Sequence, residues 1–317
     1  MKKYIIIVCF FCALISSAQD SHFSQFNISK LNLNPALTGF QENDFQGGIH
    51  RRSQWNSVAD PFKTISFSFY AKDYFLNQSI GLGFVNDNSG DSNFKTSGLN
   101  ISLSQVIIKN NTSTLYFGGL IGAFQRTFEM SSLIFIEDEG FIDESIFFLD
   151  LAIGGLFTKK LNNITTLETG LAAYHINNPN QSFSITSSLP TPIKYNMHFI
   201  SKHIFTKNIN LESSLFLSKQ SSFQEFVYGI DFQYNIYHES YNNIKLSLGV
   251  YNRYNDAIIP KIGFEVSDFS VNMSYDINIS DLTIATNNYG GLEFSVFYSW
   301  DLKSKESKKE FICPKYL

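Results

Sequence analysis

Charge is what this sequence has least of. Asp, Glu, Lys and Arg make up 16% of its 317 residues, against roughly 25% in soluble domains. The balance, a net charge of -4, gives no reason to expect nucleic acid as a partner. Cysteine is nearly missing too. Of the 3 present, Cys9 and Cys12 stand in an N-terminal apolar run that is expected to be removed. Cys313 alone would remain, which excludes an internal disulfide in the mature chain. Beyond Ile15 no apolar run approaches the roughly 18–20 residues of a spanning helix, so a helical membrane protein is excluded.

Catalytic patterns are absent as well. The histidines are His22, His50, His175, His198, His203 and His238, and no pair has metal-ligand spacing on a common face. His198 and His203 fall on opposite faces of a strand. No Gly-x-Ser-x-Gly elbow occurs. Asp87-Asn88-Ser89-Gly90-Asp91 superficially looks like a calcium loop but lacks the closing Glu, and a polar hairpin turn accounts for it. No catalytic, cofactor or metal site is assigned, and an enzyme is not expected.

What is present begins at the N-terminus. Met1-Lys2-Lys3, the apolar run Tyr4 to Ile15 and the small residues Ser16-Ser17-Ala18 describe a secretory signal peptide over residues 1–18. Cleavage is expected between Ala18 and Gln19. Neither Cys9 nor Cys12 follows a cleavage site, so a lipid anchor is not expected.

Aromatic residues reach 16%, with 32 Phe and 16 Tyr, while mean hydropathy is only -0.07. The apolar residues recur with period two. Phe226, Tyr228, Ile230, Phe232, Tyr234 and Ile236 alternate with Val227, Gly229, Asp231, Gln233 and Asn235; Leu292 to Leu302 behaves likewise. Such alternation marks strands with one apolar and one polar face. The longest reach the 9–11 residues of a membrane-barrel strand, beyond the five or six of a sandwich. The reading is therefore all-β: a transmembrane antiparallel barrel over residues 19–302, with a short tail at 303–317. Strands are expected at 44–52, 64–72, 79–86, 96–108, 113–128, 147–157, 164–174, 195–204, 209–219, 224–236, 244–254, 258–266, 269–275 and 292–302. With a periplasmic N-terminus, connections after even strands should be short and those after odd strands longer. Glu168, Glu212, Asp231, Lys245, Arg253, Lys261 and Glu265 point inward, where they can pair across a lumen, and read as generic residues of a wet face rather than a selectivity filter. Outer-membrane lipid is then the first partner.

Several segments carry a resemblance. Phe23-Ser24-Gln25-Phe26 with Asn34-Pro35-Ala36-Leu37-Thr38-Gly39 is followed by Arg52-Ser53-Gln54-Trp55, Ile80 to Gly83, and His175-Ile176-Asn177-Asn178-Pro179-Asn180-Gln181-Ser182-Phe183. Ser274-Tyr275-Asp276, Gly291-Leu292-Glu293 and Cys313-Pro314-Lys315-Tyr316 close the series. In this order they resemble the PorP/SprF family of type IX secretion system membrane proteins of Bacteroidetes. Asn178 departs from the family, standing where a bulkier polar residue is expected. The resemblance implies an accessory outer-membrane barrel working with type IX components. It implies a large secreted cargo with a C-terminal secretion domain, such as an adhesin or gliding-motility protein. It assigns no role to Phe23, Gln25, Asn34, Pro35, Gly39, Gln54, Trp55, His175, Pro179, Tyr275, Asp276, Cys313 or Pro314. Read alone, Asn34-Pro35-Ala36 is a turn leading into the first strand. Phe135, Phe141, Phe147 and Phe148, in and beside the longest outer loop, are either a partner-docking patch or part of a loop that plugs the lumen. The competing function is a passive channel or hydrophobic small-molecule transporter; a purely structural barrel is a third.

The signal-peptide reading predicts a mature chain that starts at Gln19 and fractionates with the outer membrane. N-terminal sequencing of the purified protein checks it; retention of Met1, or recovery from the cytosol, would refute it.

Overall fold

A computed structural model describes residues 22–54, 61–75, 78–90, 94–128, 144–183, 188–237, 244–280 and 283–302. The proposed cleavage site at Ala18 and Gln19 lies outside these, as do Trp55, Phe135, Phe141, Cys313 and Pro314. Among the described residues fourteen strands form one closed antiparallel barrel, each paired with its sequence neighbours and β1 with β14. The first seven are β1 (Phe45–Gln54), β2 (Phe62–Phe75), β3 (Gln78–Ser89), β4 (Phe94–Lys109), β5 (Ser113–Phe128), β6 (Glu144–Lys160) and β7 (Thr165–Tyr174). They continue as β8 (Lys194–Ile204), β9 (Ile209–Gln220), β10 (Phe223–Ile236), β11 (Ile244–Arg253), β12 (Ala257–Val266), β13 (Phe269–Asn278) and β14 (Tyr289–Trp300). All fourteen fall where the alternation predicts them.

Period-two patterning works here because each wall residue meets either lipid or the lumen. In β4, Leu99, Ile101 and Leu103 are exposed outward while Asn100, Ser102 and Ser104 are buried inward. At one end the outward face carries a girdle in which Phe45, Phe69 and Tyr298 lie 5.4, 6.0 and 5.6 Å from the Trp300 ring. Aromatics of this kind suit the headgroup level. The girdled end also holds the short connections 110–112, 161–164, 205–208 and 267–268, and is periplasmic by the general rule for bacterial barrels. Two connections at the other end are short against expectation: Ser221-Ser222 joins β9 to β10, with Ser221 in the left-handed region at φ 52°, and Tyr254-Asn255-Asp256 joins β11 to β12.

The wall is uneven in height. β4, β5 and β6 have 16, 16 and 17 residues, whereas β7 has 10. The inward charges are also more specific than a generic wet face. Lys202 pairs with Glu168 at 2.7 Å, Lys245 with Glu265 at 2.5 Å and Lys261 with Asp231 at 3.0 Å. Asp231 accepts from Tyr251 as well.

These placements separate two neighbours on β10. Ile230 faces lipid, so Ile230→Arg near midplane should cost about 2–4 kcal/mol of barrel stability. The spacing alone suggested that Asn at Asp231 would cost little. With Lys261 and Tyr251 both resting on that carboxylate, Asp231→Asn should instead cost about 1.5–3 kcal/mol. Urea unfolding in detergent measures both; a silent Asp231→Asn would contradict the pairing.

Candidate functional site

The chain before β1 does not trail into the periplasm. Residues 22–44 run lengthwise through the lumen. Ser24 and Gln25 sit against the loop-end parts of β11, β13 and β14, and Gly39 abuts Ser79 at the turn end. Between them lie a single helical turn, α1 (Lys30–Leu33), and a 3-10 turn at Pro35–Leu37. Pro35 disfavours helical backbone at Asn34, which is extended at φ -165°. Its side chain then caps the following turn, accepting from Ala36 N at 2.9 Å. The Asn34-Pro35-Ala36 motif is thus part of a plug, not a turn entering the first strand.

A buried plug must satisfy its own backbone. The wall supplies the partners. Tyr174 donates to Leu31 O at 2.7 Å, Asn196 to Asn32 O at 3.0 Å and Leu33 O at 3.2 Å, and Ser104 to Ala36 O at 3.1 Å. Thr38 and Ser102 share a hydrogen bond of 2.7 Å. Asn34 returns the favour, donating to Gly155 O and Leu171 O at 2.9 and 3.2 Å. Its seat exists because the wall is bare there: a Cβ on Gly154 or Gly170 would collide with the Asn34 amide, and one on Gly118 with Pro35. Phe26 stacks on Phe216 at 5.0 Å and meets the edge of Tyr251 at 6.1 Å. Leu33, Ala36 and Leu37 complete this apolar core with Leu156, Val227 and Ile259.

The first residues of the plug are held by charge. Glu293 accepts Ser24 N at 2.5 Å and Gln25 N at 2.9 Å, and takes Arg52 Nη1 at 2.5 Å. Asp276 accepts Ser24 Oγ at 2.8 Å, Arg52 Nη2 at 3.0 Å and Arg253 Nη2 at 2.7 Å. Both arginines also donate to Ser24 Oγ, at 2.6 and 3.0 Å. His50 lies 3.3 Å from Glu293 and stacks on Phe23 at 4.1 Å. Gln54 supports the cluster, its oxygen accepting from Arg52 Nε at 3.1 Å once the amide is turned to suit. Gln25 reaches Ser274 Oγ at 2.9 Å. At the other flank Lys30 donates to Gln46 at 2.8 Å.

Above the plug the mid-chain motif forms a lid. His175 leaves β7 in the left-handed region at φ 58°, and its ring pairs with Asp150 at 2.9 Å. Asn178 is also left-handed, at φ 44°, which favours Asn over bulkier residues, and it donates to Thr191 O at 3.0 Å. Asn180 accepts from Leu189 N at 2.8 Å, Gln181 meets Arg126 across the mouth, and Phe183 packs 6.3 Å from both Phe94 and Phe128. Pro179 O takes Thr191 N at 2.9 Å. Between lid and plug remains a cavity of about 150 Å³, lined by Leu31, Phe94, Leu120, Phe124, Arg126 and Phe148. A wider vestibule of about 930 Å³ opens at the turn end beside Glu42, Lys202, Glu212, Lys245 and Glu265.

The motifs at 23–25, 52–54 and 274–276, with Glu293, thus converge on one cluster, although 269 residues separate Ser24 from Glu293. Tyr275, between two cluster-side residues, faces outward in the strand alternation, half-buried. The expected aromatic patch splits: Phe147 is 69% exposed outward, whereas Phe148 is 8% exposed and stacks on Phe124 at 5.5 Å. Adjacent strand residues cannot share a face. Ser102, Ser104, Tyr174, Asn196 and the seating glycines went unnoticed as partners; their only signal is small and polar residues repeating on inward positions.

A closed barrel with lipid-facing apolar residues, an aromatic girdle and its own N-terminal plug defines an outer-membrane β-barrel of the plugged type. Residues 15–298 match the family described as type IX secretion system membrane protein PorP/SprF, and the chain belongs to that family. No curated relative matches it in sequence. Among solved structures it is similar to the toluene transporter TodX of Pseudomonas putida, at 11% identity and a TM-score of 0.50, covering 90% of this chain and 95% of that one. A FadL homologue of Pseudomonas aeruginosa gives 11% identity and a TM-score of 0.46, over 84% and 92% of the two chains. At such identity the first likeness speaks for the barrel fold alone.

Removing one partner of the cluster should release the plug. Glu293→Ala leaves Arg52 and two plug N–H groups without their acceptor, a loss of about 3–5 kcal/mol. In a Cys313→Ser background, Ser24→Cys should resist an impermeant maleimide, and adding Glu293→Ala should make it react. Equal labelling in both would show that the cluster does not hold the plug.

Proposed function

We propose that this barrel is a type IX accessory that supports export or surface anchoring of a particular large protein without conducting it through its own lumen. The observation that carries this reading is the plug: residues 22–44 fill the barrel and are bound by wall groups from nearly every side. A conduit for a polypeptide would need that segment expelled together with its buried charges. The work then falls to the rims. The vestibule with Glu42, Lys202, Glu212, Lys245 and Glu265 faces type IX components in the periplasm. The tall β4–β6 wall faces the cargo at the cell surface. The cargo is an adhesin or gliding-type protein with a C-terminal secretion domain, as family membership suggests. No step calls for bond chemistry by this chain.

One observation favours a second reading. The aromatic cavity beneath the lid could take a small hydrophobic molecule, and a structurally similar barrel is a toluene transporter. Deleting the gene separates the two. The accessory reading expects one or a few large proteins to vanish from the surface proteome while other type IX export continues. An unchanged surface proteome with altered uptake of a hydrophobic solute would establish the transporter instead.

A further inference from the structure

The barrel wall has an open seam. β5 pairs with β6 all the way up to Phe128↔Glu144, but β7 joins β6 only from Ile153↔Ala173 downward. The upper part of β6 therefore stands as a strand edge. Its lower stretch is closed by the lid motif: Ile176 N donates to Leu151 O at 3.1 Å, and the Asn177 side chain accepts from Leu151 N at 3.0 Å and donates to Leu149 O at 2.7 Å. The lid then turns into the lumen, where Gln181 meets Arg126. Above Leu149 no described residue caps the edge.

Hydrogen-bond direction alternates along a strand. Since Leu151 directs its N–H and C=O away from β5, so do Phe147 and Ser145. Both carry side chains in the open, Phe147 at 69% exposure. An unpaired edge of this sort is a template for another strand, and closed barrels ordinarily leave none. We propose that residues Glu144–Phe148 of β6 receive an extended segment of the exported protein by strand addition, with Phe147 packing against it. The identity of the occupant rests on the accessory reading above. The mode rests on the edge itself: Ser145 and Phe147 offer backbone donors and acceptors at strand spacing, which only an extended polypeptide matches.

The edge can be spoiled selectively. Proline removes an N–H, and at Ser145 and Phe147 the N–H lost is one that β5 does not use. A Ser145→Pro/Phe147→Pro variant should assemble as a heat-modifiable barrel in the outer membrane yet lose the surface cargo that the gene deletion loses. Phe147→Ala, which keeps the N–H and removes only the packing ring, should lower that cargo less than the proline pair does. A photo-crosslinking residue at position 147, on an otherwise unaltered backbone, should capture a large exported polypeptide. Cargo retained by an assembled proline variant, where deletion loses it, would overturn strand addition and leave the accessory reading intact. A crosslink confined to the same chain, or to a second copy of it, would likewise overturn it. A deletion that leaves every surface protein in place would instead sink the accessory reading, and the identity of the occupant with it.

Discussion

Two arginines and two carboxylates buried inside a barrel impose most of what is distinctive here. Arg52 is buried against Asp276 and Glu293, and Arg253 against Asp276 and Asp256, so neither guanidinium is left in the interior without a carboxylate. The carboxylates in turn have more acceptor capacity than two guanidiniums fill. Glu293 gives part of the remainder to Ser24 and Gln25, whose backbone N–H groups would otherwise be buried unpaired. Plug and wall are each incomplete without the other. A cluster of this kind stabilises less through net attraction than through the penalty for taking any member away, which suits a seal more than a scaffold.

The rest of the plug follows from that anchoring. Once the first residues are fixed near the loop end and β1 begins at the turn end, the intervening chain must cross the lumen. Crossing requires carbonyl partners at each level, which Tyr174, Asn196 and Ser104 provide, and bare wall at the tightest point, which Gly118, Gly154 and Gly170 provide. The lumen facing the plug is therefore polar, and its polarity answers one peptide segment. On the accessory reading the work falls to the two rims.

The strands were legible in the sequence because lipid and lumen impose opposite demands on neighbouring residues for ten residues at a time. Strand ends were less so: β6 reads as 147–157 from its alternation but extends to 144–160, since Glu144 and Ser145 have left the apolar band. The plug could not be read this way. It has one four-residue helix and no sustained period, and its partners lie up to 270 residues away. Phe23, Gln25, Gln54, Asp276 and Glu293 were each visible as motif positions in order along the chain. Their convergence was not, because order along a sequence carries no information about depth within a barrel. Asp231 shows the same limit, since its position announces an inward polar residue but not the Lys261 ammonium that rests on it.

The uneven height of the wall sets the sealed lumen beside an open strand edge. A barrel that merely seals itself gains nothing from letting β4, β5 and β6 rise past a β7 of 10 residues. It would be simpler to match neighbouring strands and leave no edge. Here the lid motif stops partway: Asn177 imitates a strand partner for Leu149 and Leu151, and His175 and Asn178 use left-handed backbone to turn the chain inward to cover the lumen. The same segment thus covers the lumen and leaves the top of β6 without a strand partner among the described residues. Sealing the bore and presenting an edge are, in this fold, two consequences of one loop path.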